Sequence, residues 1–320
     1  MRSGILAEVR HAASRVMERA RWVSIDERAL AALARSNELL SAPRVLDPIA
    51  RCEGAPAHKA AFVLTLDAIN FGSGYFPHLA KRPGLSGYLT LSNALLEQWQ
   101  RDGAWSARQL VALSPRDCAR VFAQDVRVPE VAELMSLFAQ ALNELGAFLL
   151  ARFAGDPTAL IEAADCSAER LVGILSEMPL YRDVSRYAGF EVPFYKRAQL
   201  TCADLATAFA GVGYGAFFDL DRLTMFADNL VPHVLRCEGV LVYESGLAAR
   251  IDAEQLLQAG SAEEVEIRAA AVCAVERCVA LLRAAGIEIS ARELDTALWA
   301  RGQLPEIKAH PRHRTRTTNY

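Results

Sequence analysis

Apolar residues recur at three- and four-residue spacing along most of this 320-residue chain. Such spacing places apolar side chains on one face of a helix, so the chain is expected to fold largely as helices that bury one side. The clearest example is the segment 128–153, which carries an apolar residue at nearly every turn. The segment 58–70 is apolar nearly all round, which predicts a helix buried on most of its surface.

Capping residues mark the helix starts, whereas strand patterns are few and short. A serine stands three residues before a glutamate or directly before a proline at four positions: Ser24, Ser114, Ser261 and Ser290. FEVPF (190–194) is expected to pair with the residues around Tyr181–Val184 through a turn at Gly189, and GVLVY (239–243) is a second strand candidate. We therefore predict a mainly α, helical single domain over residues 1–320, with a small β-ribbon.

Composition excludes several classes of protein. The chain is 52% apolar and 23% charged, with a formal net charge of −3, which is typical of a globular protein that does not bind nucleic acid. No apolar run is long enough to predict a membrane span. Seven cysteines without CxxC spacing argue against a disulfide framework and a zinc site. We expect a cytoplasmic monomer without signal peptide, metal or cofactor. From composition alone, the basic segment 308–320 is predicted to be a solvated tail.

Two aspartates stand out against apolar surroundings. Asp67 lies within FVLTLDAIN, where a buried carboxylate requires a partner from a neighbouring helix or from a ligand. Asn70 and Phe71 add an amide and an aromatic ring at the end of the same helix, a suitable floor for a planar polar base. Asp228 lies in LTMFADNLVPHVLR, just before a helix whose first turn contains Pro232. Local sequence favours a capping role for Asp228, and a capping carboxylate can also face a cleft.

Cations also occupy unusual positions. Lys196 and Arg197 follow a strand candidate and open a helix, where exposed side chains are the ordinary interpretation. Because cations oppose the positive end of a helix dipole, we expect an anion near them. Glu266 and Arg268 lie on a helix that is otherwise apolar, and a structural ion pair between them explains the pattern as well as a ligand does. No single one of these residues identifies a reaction.

Five longer strings carry more information together than apart. They are LDAINFGSGYF (66–76), YRDVSRYAGFEVPFYKRAQLTCAD (181–204), LTMFADNLVPHVLR (223–236), EEVEIRAAAVCAVE (263–276) and HRTRTTNY (313–320). In this order, from about residue 40 to the C-terminus, they resemble the queuosine salvage protein family, the queuosine 5′-phosphate N-glycohydrolases. FYKRAQ, TMFAD and VEIR are the most specific pieces of the resemblance.

The resemblance implies a mainly helical fold similar to the helix-hairpin-helix DNA glycosylases. In that wider superfamily a glycine-containing hairpin turn precedes a catalytic aspartate at a helix start, and here the turn 211–213 precedes Asp228. The spacing between turn and aspartate is short. Lys196 lies before the turn, whereas the lysine of lyase-type glycosylases follows it. These departures argue against a Schiff-base mechanism and against DNA binding by the hairpin.

The implied reaction is hydrolysis of the N-glycosidic bond of queuosine 5′-phosphate, which releases queuine for salvage into tRNA modification. Cleavage builds positive charge on the anomeric carbon of ribose, and Asp228 would either stabilise that charge or attack the carbon. Queuine is a deazaguanine, so the ring nitrogen that purine hydrolases protonate is a carbon. Activation of the leaving group must therefore come from elsewhere on the base.

The resemblance also implies binding roles. Phe71 and Phe226 would stack on the base, and Asp67 and Asn70 would hydrogen-bond its guanine-like edge or its cationic amine. Further residues would hold ribose and phosphate or fold back over the site: Tyr195, Lys196 and Arg268 for the first role, and Arg314, Arg316 and Tyr320 for the second.

Other functions remain open at this point. A nucleic-acid glycosylase would need a broad basic face and would bind less tightly as salt rises, which a net charge of −3 opposes. A non-catalytic carrier of queuine or its nucleoside would keep the stacking residues but would not need Asp228. A purely structural helical protein does not account for the embedded Asp67, Asp228 and Arg268. The expected partner is thus a small nucleotide or its base, and neither nucleic acid nor a membrane.

Overall fold

The computed structural model describes residues 4–36, 39–40 and 48–320. Helices dominate these residues, which confirms the predicted mainly α fold. The helices are α1 (Ile5–Met17), α2 (Glu27–Ala34), α3 (Pro56–Ala68), α4 (Gly87–Asp102), α5 (Ala107–Ala112), α6 (Pro115–Val121), α7 (Pro129–Phe153), α8 (Pro157–Glu162), α9 (Ala168–Leu175), α10 (Lys196–Ala208), α11 (Leu230–Cys237), α12 (Ser245–Asp252), α13 (Ala262–Ala284), α14 (Ala291–Arg301) and α15 (Pro305–Lys308). The strands are β1 (Val23–Ile25), β2 (Val184–Tyr187), β3 (Phe190–Pro193) and β4 (Leu241–Tyr243).

The two clearest helical patterns are confirmed by α3 and α7. In α3, every residue from 62 to 68 is buried, as expected for a helix that is apolar nearly all round. By length and apolar composition, α7 is the one helix in the described ranges that could cross a membrane, but half of its most apolar stretch is buried. It packs against α5 and α6, so its apolar face belongs to the core.

Three of the four predicted helix starts are confirmed. The hydroxyls of Ser114, Ser261 and Ser290 each accept a hydrogen bond from the backbone N–H three residues further on. The prediction at Ser24 is wrong, because Ser24 lies in β1 and the carboxylate of Asp26 caps α2 instead. A carboxylate satisfies the exposed N–H groups of a helix start as well as a hydroxyl does.

The strands form two separate antiparallel ribbons. β2 pairs with β3 through Ala188 and Gly189, whose φ angles of 46° and 89° are those of a tight hairpin turn. This confirms the hairpin and its turn at Gly189, but the paired strand runs over Val184–Tyr187 and meets the expected stretch, Tyr181–Val184, only at Val184. β4 pairs with β1, with Val23 opposite Tyr243. GVLVY therefore contains a strand, but its partner lies near the other end of the chain, and the short pattern of β1 did not indicate it.

The buried apolar residues fall into two packed clusters. One is built mainly from α3 to α10, and the other mainly from α1, α2 and α11 to α14. Phe71 and Phe226 belong to the first cluster, Ile289 belongs to the second, and all three line one cavity. The cavity therefore lies where the two clusters meet.

The C-terminal segment, 308–320, packs onto the protein. His313, Thr315 and Tyr320 are buried, and the carbonyl oxygen of Tyr320 accepts a hydrogen bond of 2.9 Å from the N–H of Gly72. The interpretation of this segment as a solvated tail is wrong, because backbone contacts with the glycine-containing loop after α3 hold it down. The segment folds back on the protein, as the family resemblance implied.

Gly74 lies where this tail crosses the loop. A methyl group at Gly74 would lie 2.3 Å from the carbonyl oxygen of Thr315, a clash with backbone that no side-chain rotation relieves. We predict that Gly74→Ala displaces the tail and destabilises the protein by about 1–3 kcal/mol. Thermal unfolding and protease cleavage within 308–320 measure the two effects. Gly173→Ala in α9, where a methyl group meets nothing within 4 Å, is the control, and equal stability of both variants would contradict the prediction.

Candidate functional site

A cavity of about 1230 Å³ lies between the two clusters, large enough for a nucleotide. Its wall comes from the loop after α3, from α10, from the start of α11, from α14 and from the C-terminal tail. Seven of the eleven predicted site residues line it: Asn70, Phe71, Lys196, Phe226, Asp228, Arg314 and Tyr320. The other four lie outside the wall: Asp67, Tyr195, Arg268 and Arg316.

Asp228 caps a helix and faces the cavity at the same time. Its Oδ1 accepts hydrogen bonds from the N–H groups of Leu230, at 2.8 Å, and Val231, at 3.1 Å, where α11 begins. Both donors bind the same oxygen, so the helix does not use Oδ2. Asp228 can therefore cap the helix and face a ligand at the same time, because the helix start binds one carboxylate oxygen and leaves the other for the ligand.

Asp295 is a neighbour of Asp228 that the sequence analysis missed. Its Oδ1 accepts a hydrogen bond of 2.9 Å from the N–H of Phe226. Burial raises the pKa of Asp295 well above its ordinary value, and the nearby charge of Asp228 raises it further. Asp295 shares the buried face of α14 with Leu294 and Leu298. In the sequence, a carboxylate on an otherwise apolar helix face is the pattern that could have indicated Asp295.

Lys196 lies at the start of α10, as predicted, and is almost fully buried. Its Nζ donates to both the carbonyl oxygen and the Oδ1 of Asn70, each at 3.2 Å. Burial lowers the pKa of Lys196, and the charges of Asp228, Asp67 and Asp204 oppose that effect. Lys196 is thus a cation among carboxylates, in contact with the cavity.

Asp67 lies behind the cavity wall. Burial raises the pKa of Asp67 to about 7, and the charge of Lys196 opposes the rise. The side chains of Asp204, Thr201 and Asn70 lie beside it, but neither oxygen of Asp67 makes a well-formed hydrogen bond with any described residue. Asp67 does not line the cavity, so its direct contact with the base stays a prediction. The structure places Asp67 next to Asn70 and Lys196, which do reach the cavity.

The two aromatic residues predicted to stack on the base lie in the wall. The ring of Phe71 meets the ring of Phe138 edge to face at 5.2 Å between centroids, and the guanidinium of Arg197 lies 4.8 Å from its centre. Phe226 is held by the hydrogen bond from its N–H to Asp295. Both rings offer apolar surface to a flat ligand, and their stacking role stays a prediction.

Arg268 lies in the core, and its predicted contact with ribose or phosphate is corrected. Its terminal nitrogens donate to the two carboxylate oxygens of Asp183 at 3.0 and 2.6 Å, and its Nε donates to the carbonyl oxygen of Ala227 at 2.9 Å. The rings of Phe194 and Tyr320 cover the guanidinium at 4.0 and 4.8 Å. Protein groups thus hold Arg268, which in turn fixes the peptide just before Asp228.

The anion expected at the start of α10 is Asp183. Its Oδ2 accepts a hydrogen bond of 3.1 Å from the N–H of Lys196, in addition to the bonds from Arg268. Tyr195 precedes this helix with a φ of 50° and packs against the core outside the cavity wall. Its contact with ribose or phosphate stays a prediction.

The alternative pairing of Glu266 with Arg268 is also wrong. The carboxylate of Glu266 accepts hydrogen bonds from the backbone of residues 21–23 and from the hydroxyl of Tyr187. It holds the segment between α1 and β1 against α13, away from Arg268.

The cavity closes with residues of the C-terminal tail. Tyr320 lies against Arg268, and Arg314 forms an ion pair with Glu254 at the wall. Arg316 pairs with Glu130 at 3.1 Å and lies outside the wall. Arg312 also lines the cavity, although the sequence analysis did not single it out.

Comparisons with known proteins give one consistent result. The profile of the family described as queuosine salvage protein matches residues 51–320. A protein of Sphaerobacter thermophilus named queuosine 5′-phosphate N-glycosylase/hydrolase is 37% identical over 329 residues, covering 100% of this chain and 98% of that protein. Proteins with the same name from Dictyostelium discoideum and Mus musculus are 33% and 34% identical, over 82% and 67% of this chain and 78% and 66% of their own lengths.

Loss of Arg268 is expected to be costly for stability. We predict that Arg268→Ala lowers the free energy of unfolding by about 3–5 kcal/mol, because Asp183 is left buried without its partner. Urea unfolding measures the loss, and the double variant Asp183→Asn with Arg268→Met should recover part of it. Arg250→Ala, which breaks the half-exposed pair with Glu263, is the control and should cost less than about 1 kcal/mol. Similar losses for Arg268→Ala and Arg250→Ala would contradict this role.

The raised pKa of Asp67 predicts a specific dependence of stability on pH. Because the folded protein keeps a proton on Asp67 up to about pH 7, whereas the unfolded chain loses it near pH 4, stability falls as pH rises between these values. Asp67→Asn should remove this dependence, with a gain of about 4 kcal/mol over wild type at pH 8 and little change at pH 4. Urea unfolding at both pH values tests it, and an equal effect at both would show that Asp67 is ionised throughout.

Proposed function

This chain belongs to the queuosine salvage protein family, and from that membership we propose that it hydrolyses the N-glycosidic bond of queuosine 5′-phosphate to release queuine. The observation that carries the proposal is the fixed carboxylate of Asp228 in the wall of a nucleotide-sized cavity. Several aromatic rings, Phe71 and Phe226 among them, and several hydrogen-bonding groups share that wall. A site of this kind suits a flat polar base joined to a sugar.

Asp228 supplies the charge that the reaction requires. As the bond between ribose and base lengthens, positive charge grows on the anomeric carbon, and a carboxylate held beside it lowers the barrier. Because α11 already orients Asp228 through two backbone N–H groups, little reorganisation is needed when the charge appears. The hydroxyl group of a water molecule ends on the anomeric carbon, either directly or after Asp228 has bonded to it and been displaced. The proton that this water releases replaces the one that the departing base takes up.

The departing base leaves with the electron pair of the broken bond. It must therefore take up a proton, or its negative charge must be neutralised in another way. Asp295 is the neighbouring carboxyl group, and burial together with the charge of Asp228 raises its pKa well above the ordinary value, which favours its protonated form. A carboxyl group whose surroundings favour its protonated form, beside a second carboxyl group in the same site, is the pattern of a general acid and its partner. We therefore assign protonation of the departing base to Asp295, and stabilisation of the positive charge on the sugar to Asp228.

Lys196 and Asn70 are hydrogen-bonded neighbours in the cavity wall. The ammonium of Lys196 is anchored on Asn70 and surrounded by carboxylates, so it keeps the acidic residues close together without cancelling the charge of Asp228. Asn70 and Asp204 line the cavity and present an amide and a carboxylate to the donors of a guanine-like edge or to the cationic amine of queuine.

The proposal also covers the setting in which the protein works. We expect it to act on the free nucleotide as a cytoplasmic monomer, with no nucleic-acid partner and no membrane. Seven cysteines without paired spacing and a net charge of −3 support this expectation.

The test is turnover of queuosine 5′-phosphate, with free queuine followed by chromatography. Wild type should release queuine, and Asp228→Asn should be slower by about 100- to 1000-fold while still binding the nucleotide, because asparagine keeps the helix cap and loses the charge. Asp26→Asn is the matched control, since Asp26 caps α2 in the same way outside the cavity wall, and it should keep full activity.

Three outcomes would contradict the proposal. If wild type binds the nucleotide and releases no queuine, the protein is a carrier. If Asp228→Asn is as fast as wild type, Asp228 is a helix cap without a catalytic role. Binding that requires duplex nucleic acid and weakens steeply with salt would indicate a nucleic-acid glycosylase.

A further inference from the structure

The segment 223–229, which brings Phe226 and Asp228 to the cavity, forms neither helix nor strand. Residues 223–227 are nevertheless buried, so their backbone N–H and C=O groups need partners that no helix or sheet ladder supplies. A backbone group left without a partner in such a place is costly, because water does not reach it. The partners of this segment therefore determine where Asp228 lies.

Side chains from three different helices provide these partners. Asp295 on α14 and Arg268 on α13 bind the backbone of the two residues that precede Asp228. Gln199 on α10 binds the segment further back, where its Oε1 accepts a hydrogen bond of 2.8 Å from the N–H of Thr224. Gln199 is the one of the three that belongs to the helix of the first cluster.

Gln199 uses both ends of its amide. Its Nε2 donates to the carbonyl oxygen of Phe194 at 2.9 Å and to the hydroxyl of Thr224 at 2.8 Å. That hydroxyl donates in turn to the carbonyl oxygen of Met225 at 3.0 Å. The side chain of Gln199 is fully buried. Because one backbone partner is an N–H group and the other is a carbonyl, only a side chain with both an acceptor and a donor satisfies them.

Gln199 lies outside the cavity wall, but other residues of its helix do not. Lys196 and Asp204, both on α10, line the cavity. Lys196 is close enough to Asp228 for the carboxylate to raise the pKa of the lysine against the effect of burial. Gln199 therefore connects the helix that carries the ammonium to the segment that carries the carboxylate.

We propose that Gln199 is a positioning residue for the hydrolysis, which holds the segment 223–229 against α10 so that the carboxylate of Asp228 meets the anomeric carbon. This inference rests on the proposed function, since Gln199 acts through Asp228. Without the amide, the N–H of Thr224 and the carbonyl oxygen of Phe194 lose a partner, and the segment must shift to find others. Because charge on the sugar appears only in the transition state, a displaced carboxylate slows the chemical step more than it weakens binding.

The first test is turnover of queuosine 5′-phosphate by Gln199→Leu, which removes the amide and keeps an apolar side chain in its place. The kcat should fall by about 10- to 100-fold, while KM stays within about threefold of the wild-type value. Thr224→Val removes only the hydroxyl that Nε2 binds and should lower kcat by about two- to tenfold. Thr224→Ser keeps the hydroxyl and should recover most of that loss.

Asn143→Leu is the matched control. The side-chain amide of Asn143, on α7, also holds a loop, and it donates to the carbonyl oxygens of Leu110 and Leu113 at 2.7 and 3.1 Å. All three residues lie outside the cavity wall. Asn143→Leu and Gln199→Leu should both lower the unfolding temperature, but Asn143→Leu should keep the kcat of wild type at a temperature where both variants are folded.

A double variant separates positioning from a general loss of structure. If Gln199 acts through Asp228, adding Gln199→Leu to Asp228→Asn should slow the reaction by less than about threefold, because the charge to be positioned is already absent. Independent effects would multiply, and the double variant would be slower than Asp228→Asn by the full factor seen for Gln199→Leu alone.

Amide hydrogen exchange provides a measurement that does not need turnover. In Gln199→Leu the N–H groups of the segment 223–229 should exchange about tenfold faster, or more, than in wild type and in Asn143→Leu. If wild type releases no queuine and this difference is seen, the attachment of the segment by Gln199 stands and the proposed hydrolase activity fails.

Two results would overturn the positioning role. One is a kcat of Gln199→Leu within about twofold of wild type, when wild type does release queuine. The other is an equal loss from Gln199→Leu in the presence and in the absence of the Asp228 carboxylate, which would show a general effect on the fold. If Gln199→Leu does not fold, Thr224→Val takes its place in both comparisons.

Discussion

The ion pair between Arg268 and Asp183 connects the segments that contain Lys196 and Asp228. Arg268 is on α13, Asp183 precedes β2, and Asp183 also accepts the N–H of Lys196 at the start of α10. The Nε of Arg268 binds the carbonyl oxygen of Ala227, next to Asp228. Bringing two charges out of water is unfavourable unless their hydrogen bonds are well matched, and here two parallel bonds and a backbone carbonyl provide that match. The positions of Lys196 and Asp228 both depend on this pair.

The cavity shows how environment assigns different tasks to similar residues. Asp67, Asp228 and Asp295 are all aspartates near Lys196. Asp228 accepts bonds from the start of α11, whereas burial raises the pKa of the other two. Among the arginines of the tail, Arg314 and Arg316 form ion pairs with Glu254 and Glu130, whereas Arg312 lines the cavity. Burial and local partners, more than residue type, therefore decide what each side chain can do.

Features that depend on neighbours in sequence were predictable. The periodicity of α7, the turn at Gly189 and the position of Asp228 before α11 follow from spacing and from local backbone preferences. The resemblance to a family then indicated seven residues that line the cavity.

Features that depend on distant partners were not predictable in the same way. The pairing of β1 with β4 joins residues 23–25 to residues 241–243, which are far apart in the sequence. Arg268 was expected at the ligand, because no local pattern indicates that Asp183, 85 positions away, is its partner. The tail is polar and basic, and composition cannot show that backbone groups near Gly72 and Gly74 hold it down.

The docking of the tail onto the loop around Gly72 makes the cavity dependent on the order in which the chain is synthesised. The ribosome makes this loop long before it makes Tyr320, so the helices of the first cluster can pack while one wall of the cavity is still missing. A nascent chain in that state has a core but no closed site. Proteolytic cleavage between α15 and Arg312 would return the mature protein to the same condition, with its helices in place and its substrate exposed to water.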